Sequence, residues 1–416
     1  MAEHSITEKS PKFIRYDLDF MEKTLSLIIK GQGVVIFRQT GVSDTRLPRH
    51  FESDKPCILK FHNKDLSNIL TVEFTSTSVN VSTTDSIFVD KNNTKGLTDD
   101  SAAYYWFSID LQNQRLYAGI GEVRLDTVIY KYEFRQKSDK IRDFFGSLTN
   151  IEMSDGIKAL RLLRDPITMP IPMLIKATDS LTMNDVAEGK VLPTASLTAV
   201  NKKLYECVSG KNFILDDRDF PDFSKAIENS IATPGLWCNT RLKEKSTEFS
   251  KDKPNLLETY LRITMGQNNG ESPGSPYVLE IWPIGHYSPV HSHAGANAII
   301  RVLYGNIHVR LFPYLSPKVQ SFGSTTFKTG DITWVNTTLN QTHQLINPKL
   351  NNKTCVTIQC YMYDEADNGH YDYFDYIDAD GIKQQYEPDS DMDFVAFKAL
   401  MKEEWMLISS MSCCCL

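Results

Sequence analysis

The chain has no apolar run longer than a strand, no surplus of positive charge and no Cys-x-x-Cys pair. The first absence excludes a membrane-spanning helix, which needs roughly 20 apolar residues. The second argues against nucleic acid as a partner, because 45 Lys and Arg face 52 Asp and Glu for a net charge of -7. The third removes the common zinc-ribbon and thioredoxin-like readings of cysteine. The opening residues Met1-Ala2-Glu3-His4-Ser5 lack the basic and apolar regions of a secretory leader. The expectation is therefore a cytoplasmic protein in which Cys57, Cys207, Cys238, Cys355 and Cys360 are reduced thiols. The sequons at Asn80 and Asn336 then carry no glycan.

At 416 residues, 41% hydrophobic and 23% charged, the chain is long enough for two globular domains. Its fold class reads as mainly β. Val34–Phe37, Cys57–Phe61, Ile69–Phe74, Ser86–Val89, Tyr104–Ile109 and Val128–Phe134 are strand-length and rich in β-branched or aromatic residues. Polar turns such as Asp90-Lys91-Asn92-Asn93 separate them. Residues 1–140 thus form an N-terminal β-sandwich or jelly roll, after a short entry helix from Phe20 to Lys30. Residues 141–195 read as a connector. Within it Asp155 to Arg164 has helical spacing, at Ile157, Leu160 and Leu163, closed by Pro166, Pro170 and Pro172. Residues 196–416 form the second domain. It has helices at 196–245, among them Phe223 to Ile231, then strands from about Tyr260 to Tyr373. A final amphipathic helix from Met392 to Leu407 packs on that domain.

The chemistry concentrates in Gly285-His286-Tyr287-Ser288-Pro289-Val290-His291-Ser292-His293. In an extended strand His291 and His293 share a face, and two imidazoles there can hold one metal ion. Two strands, Ile299–Leu303 and Ile307–Leu311, follow with a turn at Tyr304-Gly305-Asn306. After the next Gly-Asp turn, Gly330-Asp331, His343 begins a further strand. A barrel closing on itself brings His343 against the first pair. His286, His308 and His370, each taken alone, read as surface or core residues. No carboxylate follows His293, where the run is Ala294-Gly295-Ala296-Asn297-Ala298.

From Tyr260 to about Tyr361 the chain resembles cysteine dioxygenase and the related thiol dioxygenases of the cupin superfamily. The resemblance implies a jelly-roll barrel in the C-terminal half. It implies Fe(II) held by His291, His293 and His343. Arg262, in Tyr260-Leu261-Arg262, matches the arginine that holds a substrate carboxylate, with Tyr260 beside it. Tyr361 matches an active-site tyrosine, and Thr357 the hydroxyl at the start of its relay. The implied partners are a small carboxylate-bearing thiol, cysteine or a 3-mercapto acid, and O2, with the sulfinic acid as product. Two positions depart from the pattern. Ala298 stands where many relatives have a cysteine cross-linked to the tyrosine. Gln359 replaces a histidine and does not titrate. A non-catalytic metal- or ligand-binding cupin is the alternative, as is another cupin oxygenase or lyase.

The chain ends Ser412-Cys413-Cys414-Cys415-Leu416. Cys413 stands fourth from the end before a terminal Leu, the frame of a prenylation box, although the two middle positions are not aliphatic. Lipidation at Cys413 would add membrane association to the cytoplasmic expectation.

Overall fold

The computed structural model describes residues 12–15, 23–39, 55–84, 88–92, 95–134, 138–250, 253–266, 277–363 and 373–413, with side chains to residue 407. The chain divides into two compact units, Met1–Pro170 and Ile171–Leu416. Both are built on paired β-sheets, as expected for sandwich and jelly-roll domains. No described helix is long and apolar enough to cross a membrane.

The first unit has two six-stranded antiparallel sheets. One runs in the order Phe13–Arg15, Ile157–Leu163, Gly33–Gln39, Tyr105–Asp110, Arg115–Ile120, Val128–Glu133. The other runs Thr24–Ser26, Asn150–Met153, Cys57–His62, Ile69–Phe74, Val79–Thr83, Val89–Asn92. In Ile69–Phe74 alternate residues Leu70, Val72 and Phe74 are fully buried, the period of a half-buried strand. The core also takes Phe37, Phe61, Trp106 and Phe107. Trp106 fits because its neighbour Gly119 has no side chain: a Cβ there would lie 2.1 Å from the indole Cζ2.

Three sequence expectations are corrected here. The entry helix is absent from the described part of its range. Thr24–Ser26 is an edge strand paired with Asn150–Glu152, and a bridge from Ile29 to Gln32 turns the chain at Gly31. Phe20, with the rest of 16–22, lies outside the described residues. In place of the helix expected from Asp155 to Arg164 stands the strand Ile157–Leu163, held between two others. Its three-residue spacing has a local cause. The register shifts between Ala159 and Arg161, and this bulge buries Ala159 and Leu162 on one side. Leu160 and Leu163 pack on the other side with Val34, Ile36 and Trp106. The connector 141–195 is likewise not one. Its first part supplies two strands and the helix Asp139–Ser147 to unit one, and the division falls after Pro170. Its later strands, Leu174–Lys176 and Val191–Pro193, join a sheet of unit two. Of the expected strand Ser86–Val89, residues 86 and 87 lie outside the described residues and pairing occupies Val89–Asn92.

The second unit is a barrel of two facing sheets. The larger, eight-stranded, runs Val191–Pro193, Leu174–Lys176, Ile332–Val335, Asn297–Tyr304, Cys355–Met362, Tyr277–Trp282, Leu261–Gly266, Met392–Asp393. The smaller has the order Gly323–Lys328, Asn306–Leu311, Thr342–Ile346, Val290–Ser292, Phe374–Ile377, Lys383–Tyr386. Helices Ala199–Val208, Phe223–Ala232, Trp237–Glu244 and Phe394–Cys413 cover the outer face of the larger sheet. Leu204, Phe223, Ile227, Phe397 and Met401 meet Leu261, Ile263, Leu279, Ile281, Ile299, Val356 and Ile358 there. The last helix thus packs on its own domain, as expected. Cys413 closes that helix, and residues 414–416 of the proposed lipidation tail lie outside the described residues.

This cover fixes which residues face inward. With one parity of each strand against the helices, the other parity must line the barrel. On Cys355–Met362 the inner set is Cys355, Thr357, Gln359 and Tyr361. On Tyr277–Trp282 it is Val278, Glu280 and Trp282, and on Leu261–Gly266 it includes Arg262.

Candidate metal centre

His291 lies in the short strand Val290–Ser292, directly opposite His343 of Thr342–Ile346. His293 sits one residue past the end of that strand. There the backbone amide of His293 donates to the Gln341 carbonyl, 3.2 Å. The chain then turns through two left-handed residues, Ala294 (φ 51) and Gly295 (φ 84). The Gln341 side chain clamps this turn. It accepts from the Gly295 amide at 2.8 Å and donates to the Ala296 carbonyl at 2.9 Å. A left-handed Ala costs about 1 kcal/mol, which these bonds offset.

The three rings converge, with centroids 5.0 Å (His291 to His293), 4.7 Å (His291 to His343) and 4.7 Å (His293 to His343) apart. One nitrogen from each lies within 4.8 Å of the others. The Nε2 atoms of His293 and His343 are 3.1 Å apart. Metal–nitrogen bonds of about 2.1 Å put neighbouring nitrogens roughly 3 Å from each other, so this pair already has the spacing. Hydrogen bonds set the tautomers. His291 Nδ1–H donates to the Pro289 carbonyl at 3.1 Å, and His343 Nδ1–H donates to the Asn340 carbonyl at 2.9 Å. Each leaves an Nε2 lone pair turned to the centre. Burial holds all three imidazoles neutral: His291 is pushed down to about 3, His343 to about 4 and His293 well below its ordinary range. Neutral imidazoles are the form that binds a metal. The donor set fits a divalent transition metal, and among the described residues no carboxylate belongs to it.

A cavity opens beside the triad. Arg262, Tyr260, Glu280, Trp282, His291, His293, Gln359 and Tyr361 line it, with Phe374, Tyr376 and Tyr386. Tyr260 stacks on Trp282 with ring centroids 4.3 Å apart, and Tyr361 stacks on His293 at 5.4 Å. Arg262 is 2% exposed, and its Nη2 has no hydrogen-bond partner among the described residues. Trp282 Nε1 is likewise unsatisfied. Two unmade donors in one cavity, one of them charged, favour an anionic ligand group. Arg262 is held from behind, because its backbone amide donates to Asp391 Oδ2 at 2.7 Å. Asp391 is paired with Lys245 at 3.0 Å and Arg241 at 2.9 Å.

Of the seven predicted site residues, His291, His293, Arg262, Tyr260 and Tyr361 line this cavity, His343 completes the triad, and Thr357 lies behind Gln359. Ala298 is directly opposite Tyr361 in the strand register. His286 is elsewhere, its Nδ1 2.9 Å from the Thr259 carbonyl, and His308 pairs with Thr326. His370 lies outside the described residues.

Glu280 was not anticipated. It is 4% exposed, lines the cavity, and accepts a short hydrogen bond from Gln359 Nε2. Burial raises its carboxyl to about 7 against the opposing pull of Arg262 and Lys245. The signal was present in the run Tyr277-Val278-Leu279-Glu280-Ile281-Trp282: one acid inside an otherwise apolar strand is rarely buried without a task.

No protein-family model matches the chain. No characterised protein matches it either. Among solved structures the chain is similar to a galectin of Caenorhabditis elegans (8% identity, 36% of this chain, 94% of that one, TM-score 0.24). It is also similar to a Ralstonia eutropha protein of unknown function with a cupin-like fold (14% identity, 35% of this chain, 68% of that one, TM-score 0.21). A third is a hydroquinone 1,2-dioxygenase bound to Cd2+ and 4-hydroxybenzonitrile (15% identity, 25% of this chain, 64% of that one, TM-score 0.18). Similarity this weak assigns no activity.

Proposed function

We propose that the second unit is an iron-dependent thiol dioxygenase. Its substrate is a small thiol bearing a carboxylate, cysteine or a 3-mercapto acid. The thiol and O2 combine to the sulfinic acid, with both oxygen atoms retained and the thiol proton kept on the product. The observation that carries this reading is the pairing of a carboxylate-free histidine triad with a buried, unsatisfied arginine in the same cavity. Three neutral ligands, His291, His293 and His343, would leave a bound Fe(II) ion its full charge, and such an ion would supply the Lewis acidity and redox chemistry that a thiol and O2 require.

The chain's own residues do the rest. Arg262 takes the carboxylate through the Nη2 that no described residue uses. Tyr260 and Trp282 form a flat apolar wall for the carbon chain. Tyr361, against His293, presents its hydroxyl to the reacting end. Phe374, Tyr376 and Tyr386 narrow the cavity and limit water.

The test is anaerobic loading with Fe(II), addition of each thiol, and measurement of O2 uptake with labelled O2. Incorporation of both labelled atoms into a sulfinate supports the reading. Full iron occupancy with no thiol consumed refutes it. That outcome would favour the second reading, a metal-binding cupin without turnover, which Gln359 in place of a titratable side chain supports.

A further inference from the structure

We propose that Glu280 is the proton-holding partner of Tyr361, acting through the side-chain amide of Gln359. Its protonation decides whether the Tyr361 hydroxyl accepts or donates a hydrogen bond inside the cavity. This inference rests on the reading that Tyr361 faces a ligand at the histidine triad.

The strands Tyr277–Trp282 and Cys355–Met362 are antiparallel neighbours, and Glu280 is the register partner of Thr357. Gln359 Nε2 donates to Glu280 Oε2 and lies 3.3 Å from Thr357 Oγ1. Tyr361 Oη donates to Gln359 Oε1. All four side chains are buried, Gln359 to 2% exposure. Their pattern is forced. A carboxylate only accepts, so the amide must turn its N–H groups towards Glu280. The amide oxygen then faces Tyr361, the phenol hydrogen points to it, and the phenol lone pairs face the cavity.

Protonating Glu280 reverses the sequence. The carboxyl O–H now donates to the amide oxygen, which requires the amide to rotate half a turn. An amide N–H then donates to the Tyr361 oxygen, and the phenol hydrogen turns into the cavity. The Thr357 hydroxyl serves as donor or acceptor in either state. One O–H bond forms or breaks at Glu280, its proton exchanges with water through the cavity, and no other bond changes. The groups that face Glu280 are Arg262 from Leu261–Gly266, Lys245 from the turn Lys245–Thr247, and the phenols Tyr260 and Tyr361. Burial outweighs the two cations and raises the carboxyl to about 7, so both arrangements are populated near neutrality. The titratable function that Gln359 lacks is thus supplied from the adjacent strand, and Glu280 is a positioning residue.

The experiment uses the full-length, metal-free protein carrying tyrosine labelled with 13C at Cζ. The Tyr361 resonance is identified by its loss in Tyr361→Phe and followed through neutrality. The expected result is one transition in the native protein and none in Glu280→Gln. In Gln359→Met the carboxyl remains but the transition is lost. In the Co(II)-loaded protein, 3-mercaptopropionate affinity should change about tenfold across the same transition, the effect of one hydrogen bond to a charged group, and Gln359→Met should abolish that change. If Gln359→Met keeps the native pH dependence, Glu280 acts by charge alone and the relay is refuted. A flat native signal refutes it as well. The resonance needs neither metal nor thiol, so failure of thiol oxidation leaves this result standing, and turnover with a flat signal overturns the relay alone.

Discussion

Replacing Arg262 by Met separates ligand recognition from stability. Arg262 is fully enclosed, and a methionine occupies much of the same volume without charge. The guanidinium offers one or two charge-assisted hydrogen bonds to an incoming carboxylate, each worth about 1.5–3 kcal/mol. Losing about 2–4 kcal/mol weakens binding roughly 30- to 1,000-fold. The fold should tolerate the change. A buried charge with an unsatisfied Nη2 is removed, and its neighbour Glu280 then loses a cation that lowers its pKa. Glu280 becomes neutral, so no unpaired buried charge takes the place of the old one. The assay is calorimetric titration of the Co(II)-loaded protein with 3-mercaptopropionate and with propanethiol, beside a thermal melt. The carboxylate ligand should lose affinity, the alkyl thiol should not, and the melting temperature should not fall. Equal loss for both ligands would show that Arg262 only shapes the cavity. No loss for either would place the carboxylate elsewhere and refute the reasoning.

Four further outcomes are expected. His343→Ala should lose metal stoichiometry in elemental analysis of the loaded protein, because it removes one of three ligands that no other described group replaces. Glu280 has a carboxyl raised from 4.5 to about 7 in the folded state, so its contribution is fully present below 4.5 and lost as pH rises through about 7. Thermal melts should therefore show Glu280→Gln gaining stability relative to the native protein as pH rises across that window, by at most about 1.4 kcal/mol per pH unit. Gly119→Ala sets a methyl group against Trp106 and should cost about 1–3 kcal/mol in denaturant titration, with metal stoichiometry unchanged. Cys413→Ser should move the protein from membrane to soluble fractions of its native cell if the terminal cysteines are lipidated, and intact mass should show the lipid on the unsubstituted chain.

The triad was legible because it needs little tertiary information. His291 and His293 are two apart on extended chain, and His343 follows a glycine turn at a spacing the barrel closes. The strands of the second unit were also legible, since Tyr277–Trp282 and Asn306–Leu311 are dense in β-branched and aromatic residues. The segment Ile157–Leu163 was misread because a bulge gives a strand the spacing of a helix. Thr24–Ser26 was misread because a three-residue edge strand has too few positions to show a period. Glu280 was overlooked for a different reason. Its strand is buried on both faces, so no alternation marks which parity lines the cavity.

The sequence alone therefore determined the candidate ligand types, the absence of a carboxylate after His293, and the presence of Ala298 and Gln359 where a cross-link and a titratable ring belong in the resembling family. It did so because coordination chemistry depends on residue type and short spacing. Only the tertiary structure decided that Arg262 is buried with an unmade donor, that Ala298 faces Tyr361, and that Glu280 reaches Gln359. Those facts depend on register between strands far apart in the chain. They also depend on the helices that cover one face of the sheet and turn the other parity inward.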